Sequence, residues 1–176
     1  MSKKSLVRPV FIGMMGSGKS SIGRRLAARL DMPLIDLDKY IEGKAGMSIP
    51  EIFAEHGEPG FRRIETEALN EVITEPAIIA TGGGVVVSAE NRSILKANPP
   101  VIWLKGSPEF LYKHVAGDTN RPLIAEGNVL EKLRDLSESR KSLYEECSDL
   151  ILDRDEIGRT NCVKTIIRFL KKWQKD

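Results

Sequence analysis

Gly13-Met14-Met15-Gly16-Ser17-Gly18-Lys19-Ser20 sets two glycines five positions apart and follows the second at once with Lys and Ser, the pattern of a phosphate-binding loop. Glycines at these places let backbone N–H groups curl around a polyphosphate, and the N-terminus of a following helix adds favourable partial charge. Lys19 then reaches the β- and γ-phosphates, and the Ser20 hydroxyl ligates Mg²⁺. The expected nucleotide contacts are Gly16, Ser17, Gly18, Lys19, Ser20 and Ser21. Two further groups carry chemistry. Asp36 and Asp38 leave the end of an apolar run, where their side chains are expected to point in different directions. One carboxylate can face a metal while the other accepts the proton of a hydroxyl attacking phosphorus. Gly82-Gly83-Gly84 permits close backbone approach, and its N–H groups can bind an anion or a hydroxyl.

These groups need elements to position them, and the pattern supplies a regular series. Val10-Phe11-Ile12 is a short strand ahead of the loop, and Ile22, Leu26, Ala27 and Leu30 repeat behind it at helical spacing. Pro33-Leu34-Ile35 predicts a second strand running into Asp36. Helical pattern then holds to about residue 75. Within it Ser48-Ile49-Pro50-Glu51 forms a capping box, and Gly57 to Gly60 breaks the chain. Ala77 to Ala80, Val101 to Leu104 and Leu150 to Leu152 complete five strands. Helices are predicted over Ser88 to Ala97, from Ser107-Pro108-Glu109 onward, over Leu130 to Cys147, and at the C-terminus. In that last helix Ile166, Phe169, Leu170 and Trp173 share a face opposite Lys171, Lys172 and Lys175. Gly117 to Gly127 has no periodicity and reads as a mobile loop.

Strands alternating with helices predict an α/β fold: a parallel sheet covered on both faces, a three-layer α/β/α sandwich. Ligands of such sheets sit at the carboxyl ends of strands. The Gly13 loop, the Asp36–Asp38 pair and the Gly82 run all follow strands, so they are expected to converge on one edge.

Composition narrows the function. A net charge of +2 over 176 residues gives no nucleic-acid or membrane footprint. Cys147 and Cys162 lack metal-ligand spacing and make no disulfide framework, which points to a reducing compartment. Only Met1 to Arg8 precede the first strand, too few for a leader, and no apolar stretch is long enough to span a membrane. The expectation is one cytoplasmic domain, and an ordinary surface composition favours a monomer. No Asn/Thr-Lys-x-Asp guanine motif is present, which argues against a GTPase. The chain is also short for a ring or transporter ATPase. A small-molecule kinase remains.

The phosphate loop, Asp36-Leu37-Asp38, the segment Gly57 to Glu65, Thr81-Gly82-Gly83-Gly84, Arg121-Pro122-Leu123 and the stretch Arg140 to Tyr144 occur in that order. This series closely resembles the shikimate kinase family over about Val10 to Asp153. The resemblance implies a P-loop kinase fold with a five-stranded parallel sheet in order 2-3-1-4-5. Residues 1–176 would form one domain, with substrate-binding helices at about 38–75 and a lid at about 117–127. It implies ATP-dependent phosphorylation of the 3-hydroxyl of shikimate, with Mg²⁺ as the metal and ATP and shikimate as the small-molecule partners. By position, Lys19 matches the lysine on the transferring phosphates, and Ser20 and Asp36 match the metal-holding pair. Asp38 matches the carboxylate on the substrate hydroxyls and is the candidate base. Arg62 and Arg140 match the arginines on the substrate carboxylate, with Glu65 holding Arg62 one turn on. Gly83 and Gly84 match backbone contacts to substrate, and Arg121 matches the lid arginine over ATP.

At the base-binding end, His114 stands where the family often has an arginine stacking on adenine. Stacking on a purine and a structural role are both open to it. Asp153-Arg154-Asp155-Glu156-Ile157 has no clean counterpart in the family pattern. A kinase for another small metabolite such as gluconate, and a sensor that binds without turnover, are the alternatives. Arg62, Arg140 and the glycine run weigh against the first. Lys19, Ser20, Asp36, Asp38 and Arg121 together weigh against the second.

Overall fold

Three-residue apolar runs flanked by helices are enough for the inner strands here, because those strands are covered on both faces and need no polar side. The computed structural model describes residues 7–115 and 127–174. In chain order it holds β1 (Val10–Ile12), α1 (Lys19–Leu30), β2 (Leu34–Asp36), α2 (Leu37–Ala45) and α3 (Ile49–Val72). There follow β3 (Ile78–Ala80), a 3₁₀ turn (Val85–Val87), α4 (Ala89–Lys96), β4 (Val101–Lys105) and α5 (Pro108–Val115). The series ends with α6 (Val129–Cys147), β5 (Leu150–Asp153) and α7 (Arg159–Trp173). The strands form one five-stranded sheet in order β2-β3-β1-β4-β5, and every neighbouring pair is parallel. That is the expected topology.

Alternation along the strands sorts the core into two layers. Phe11, Ile78, Ile102, Leu104 and Leu152 face Ile22 and Leu26 of α1 and Cys162, Val163, Ile166 and Leu170 of α7. Val10, Ile12, Ile79, Val101 and Trp103 face the opposite way, toward α2, α3, α4 and α6. The three-layer sandwich follows. In α7, Phe169 and Trp173 meet ring to ring at 5.5 Å at the margin of this core. No helix among the described residues is long and apolar enough to cross a membrane.

The register brings the functional loops to one edge. Phe11 of β1 and Asp36 of β2 both pair with Ala80 of β3, and Ile12 pairs with Trp103 of β4. The chain therefore leaves β1, β2 and β3 at the same level.

Three local features differ from the expectation. β2 ends one residue later, at Asp36, and α2 begins immediately afterwards. Asp36 accepts from Lys39 N at 3.2 Å and is thereby both the last strand residue and the helix cap. The expected four-residue break at Gly57 to Gly60 shrinks to Gly57 alone, with φ 69° and ψ 179° inside an otherwise continuous α3. Only glycine takes that conformation readily. Pro59 is accommodated because it falls in the first turn after the kink, where its missing N–H costs little. The 3₁₀ turn after the glycine run had no signature in the apolar pattern.

Candidate active site

The phosphate loop is shaped by glycines in the left-handed region, Gly16 at φ 82° and Gly18 at φ 97°. Gly18 is the residue preceding α1, so the loop delivers its N–H groups at a helix N-terminus. Lys19 folds back along the loop, donating to the Gly13 carbonyl at 2.6 Å and the Met14 carbonyl at 3.0 Å. Ser17 is fully buried, its Oγ lying against Gly13. Ser20 donates its hydroxyl to Asp36 Oδ2 at 2.8 Å. Two hard oxygen donors on adjacent elements suit Mg²⁺, which is commonly held by one or two protein oxygens plus phosphates and water.

Asp38 is the second residue of α2, packed on the first glycine of the run. A Cβ at Gly82 would lie 2.8 Å from Asp38 Oδ1. The two carboxylates have different neighbours, Ser20 for Asp36 and Gly82 for Asp38, because the chain turns from strand to helix between them; residues two apart on a continuing strand would share a face. Gly83 is close enough to the phosphate loop that its Cβ would stand 3.3 Å from Met15 N. A cleft of about 470 Å³ is lined by Gly16, Gly18, Lys19, Ser20, Ser21, Asp36, Asp38, Gly82 and Gly83. The three motifs thus converge. A larger cavity of about 830 Å³ between α5, α6 and the ends of β4 and β5 contains none of these residues, so size does not mark the site.

Arg62 and Arg140 come from α3 and α6 to the same glycine run. The Arg62 guanidinium occupies the space a side chain at Gly84 would need, and Arg140 Nη1 would stand 3.6 Å from a Cβ at Gly83. Arg62 donates to Glu65 Oε1 at 3.0 Å and to Glu58 Oε1 at 3.3 Å. The Arg62–Glu65 pairing is the one the helical spacing predicts. Its environment is not: Glu65 is 1% exposed. Burial is the largest influence and raises the Glu65 carboxyl to about 7, with the Arg62 charge pulling the other way. Asn91 of α4, fully buried, donates to Glu65 Oε1 over a long 3.5 Å and accepts from Thr66 at 2.7 Å. Arg140 is 3% exposed, and one turn on Tyr144 donates to the Gly83 carbonyl. Burial pushes the Tyr144 phenol up to about 12, so it remains a donor.

His114 and Arg159 also line the cleft, and a Cβ at Gly16 would stand 3.3 Å from His114 Cβ. His114 Nδ1 lies 2.7 Å from the Phe110 carbonyl, and its ring stacks on Phe110 at 4.4 Å. Sequence reasoning missed Arg159, whose only signal was its place shortly after the last strand. It also assigned no part to Asn91, Thr66 or Arg154. Arg121 and the expected lid at about 117–127, apart from Gly127, lie outside the described residues.

Comparison with known proteins decides the family. The sequence model described as shikimate kinase matches residues 15–171. The chain belongs to the shikimate kinase family. A shikimate kinase of Enterococcus faecalis is 43% identical over 165 residues, covering 93% of this chain and 98% of that protein. A shikimate kinase of Dictyoglomus turgidum is 46% identical over 150 residues, covering 82% and 86%. Among solved structures, the shikimate kinase of Acinetobacter baumannii in complex with shikimate superposes with a TM-score of 0.92 at 35% identity, covering 96% of this chain and 95% of that one. The shikimate kinase of Aquifex aeolicus gives 0.79 at 30% identity, covering 93% and 96%. The fold of shikimate kinases and the five-stranded order found here are the same.

Proposed function

We infer that this chain catalyses ATP-dependent phosphorylation of the 3-hydroxyl of shikimate, giving shikimate 3-phosphate and ADP. The observation that carries the reading is the packing of Arg62, Arg140 and Asp38 on one three-glycine turn that itself touches the phosphate loop. Paired guanidinium groups suit a carboxylate, which they bind with two parallel hydrogen bonds. A carboxylate beside them suits the hydroxyls of the same small ring.

In this reading Arg62 and Arg140 hold the substrate carboxylate, and Glu65 keeps Arg62 aimed. Asp38 orients the 3-hydroxyl and receives its proton as the oxygen bonds to the γ-phosphorus and the bond to the β,γ-bridging oxygen breaks. The loose transition state asks more of positioning and charge than of base strength. Gly83 and Gly84 contact the substrate through their backbone. Gly16, Ser17, Gly18, Ser20 and Ser21 cradle the ATP phosphates, and Lys19 and Arg121 stabilise the negative charge on the transferring group. Ser20 and Asp36 hold Mg²⁺, which when bound neutralises part of the phosphate charge. His114 and Arg159 flank the base. Residues 1–176 act as one domain, helices at about 38–75 holding the acceptor and a lid at about 117–127 closing over ATP. Its two cysteines, Cys147 and Cys162, are free and buried; this and the ordinary surface composition support a cytoplasmic monomer.

The test is ADP release from Mg²⁺–ATP with shikimate, quinate, gluconate or no acceptor, run in parallel. Turnover confined to shikimate is expected. Turnover with another acceptor instead would overturn the substrate, and shikimate binding without ADP release would replace the enzyme with a sensor.

A further inference from the structure

Arg154 is the first residue after β5, and its backbone N–H donates to the Lys105 carbonyl at 2.7 Å. Its side chain turns inward and is 7% exposed. The guanidinium lies over the Phe110 ring of α5 at 5.4 Å and 3.8 Å from Cys162 Sγ of α7. It also abuts the phosphate loop: a Cβ at Gly18 would stand 3.7 Å from Arg154 Nη1. Every one of these neighbours is neutral. Among the described residues no carboxylate pairs with Arg154, and its Nε is buried with no hydrogen-bond partner.

A guanidinium stays charged under all ordinary conditions, so this charge has been taken out of water with no compensating carboxylate among the described residues. Burial lowers the Arg154 pKa most, the Cys162 thiol acts the other way, and the Arg159 cation lowers it further. Such an arrangement is costly in the ligand-free protein, where buried charges are normally paired. The position explains what offsets it. Gly18 precedes the first residue of α1, and Arg24 and Arg159 stand on the lining of the cleft that the phosphate loop borders, so the helix terminus and these arginines add positive potential to that cleft. Of the acidic lining residues Asp36, Asp38 and Glu42, Asp36 accepts from Ser20 and Asp38 lies against Gly82.

We propose that Arg154 sets nucleotide affinity: a buried cation behind the phosphate loop whose charge is balanced by the phosphates of bound ATP or ADP and by no side chain among the described residues. The inference rests on the nucleotide-binding part of the reading above. Arg154 touches neither the acceptor nor the transferring phosphoryl group in this assignment, so it acts on binding more than on the chemical step. ATP and ADP should feel it alike, because it faces the loop rather than the γ-phosphate position alone.

The experiment compares wild type with Arg154→Met and Arg154→Lys, measuring ADP affinity by calorimetry, the melting temperature without ligand, and steady-state constants for ATP and shikimate. Arg154→Met should weaken ADP binding about tenfold and raise KM for ATP similarly, leaving kcat and shikimate KM within about threefold. Its ligand-free melting temperature should equal or exceed that of wild type, since an uncompensated charge has been replaced by apolar volume. Arg154→Lys should keep most of the affinity by keeping the charge. A structural role predicts the reverse, a lower melting temperature with ADP affinity unchanged, and that result would overturn the proposal. Equal ADP affinity in the Met and Lys variants would do the same. If Arg154→Met does not fold, the Lys variant together with Arg154→Gln supplies the same contrast of charge. Failure of wild type itself to bind ADP would remove the nucleotide reading, and with it this one.

Discussion

Gly82 and Asp38 are fitted to one another: a Cβ on Gly82 would lie 2.8 Å from Asp38 Oδ1. The position of the carboxylate therefore depends on the absence of a side chain on a different element. Gly82→Ala is expected to displace Asp38 and lower kcat/KM for shikimate about 10²-fold, since misplacing a reacting group by an ångström costs that much. ADP affinity should stay within about threefold. Steady-state kinetics with ADP titration checks both, and an unchanged kcat/KM would mean that the carboxylate has room to move.

Asp38→Asn keeps the shape of the side chain and removes its charge and basicity. Turnover should fall by about 10²–10⁴, with ATP binding spared. Isotope-labelled ATP binding alongside ADP release separates the two effects. Near-normal turnover would remove Asp38 from its assigned role.

Lys19 spans its own loop, bonded to the carbonyls of Gly13 and Met14. Lys19→Ala should therefore cost both loop order and phosphate attraction. We expect about tenfold or greater loss of ADP affinity and a drop in kcat of about 10²–10³. Unaltered nucleotide affinity in this variant would show that the loop does not hold phosphates through Lys19.

Glu65 links the acceptor arginine to pH. Its carboxyl sits at about 7 in the folded protein against an ordinary value of 4.5. Between those values the folded chain holds a proton that the unfolded chain has released, so stability falls as pH rises from about 4.5 through about 7. The full difference is on the order of 3 kcal/mol. Glu65→Gln removes this titration. Its melting temperature should change less than that of wild type between about pH 5 and 7, with the curves diverging toward the upper end. Parallel curves would show that Glu65 does not titrate in this range.

Much of the fold was legible because the signals are local. A three-residue apolar run, a glycine loop and an amphipathic helix each announce themselves within a dozen residues, and alternation of strand and helix then leaves few topologies. Boundaries were less legible where one residue serves two elements, as Asp36 does in ending β2 and capping α2. Gly57 shows the same limit from the other side. Its neighbours Pro59 and Gly60 look like breakers in isolation, yet the helix resumes because the kink leaves them in an N-terminal turn.

The candidate site divides along the same line. The sequence by itself determined the phosphate loop, the order of motifs and the one-turn pairing of Arg62 with Glu65, because contacts within one turn follow from spacing alone. Only the tertiary structure decided that Arg62 from α3, Arg140 from α6 and Asp38 from α2 share the Gly82–Gly84 turn. It also decided that Glu65 is buried enough to titrate near 7, and that Arg154 is enclosed by Phe110, Cys162 and the loop with no acidic partner among the described residues. Burial and charge balance depend on which distant segments pack around a side chain. That packing is a property of the folded sheet and its two helical layers, and residue spacing does not carry it.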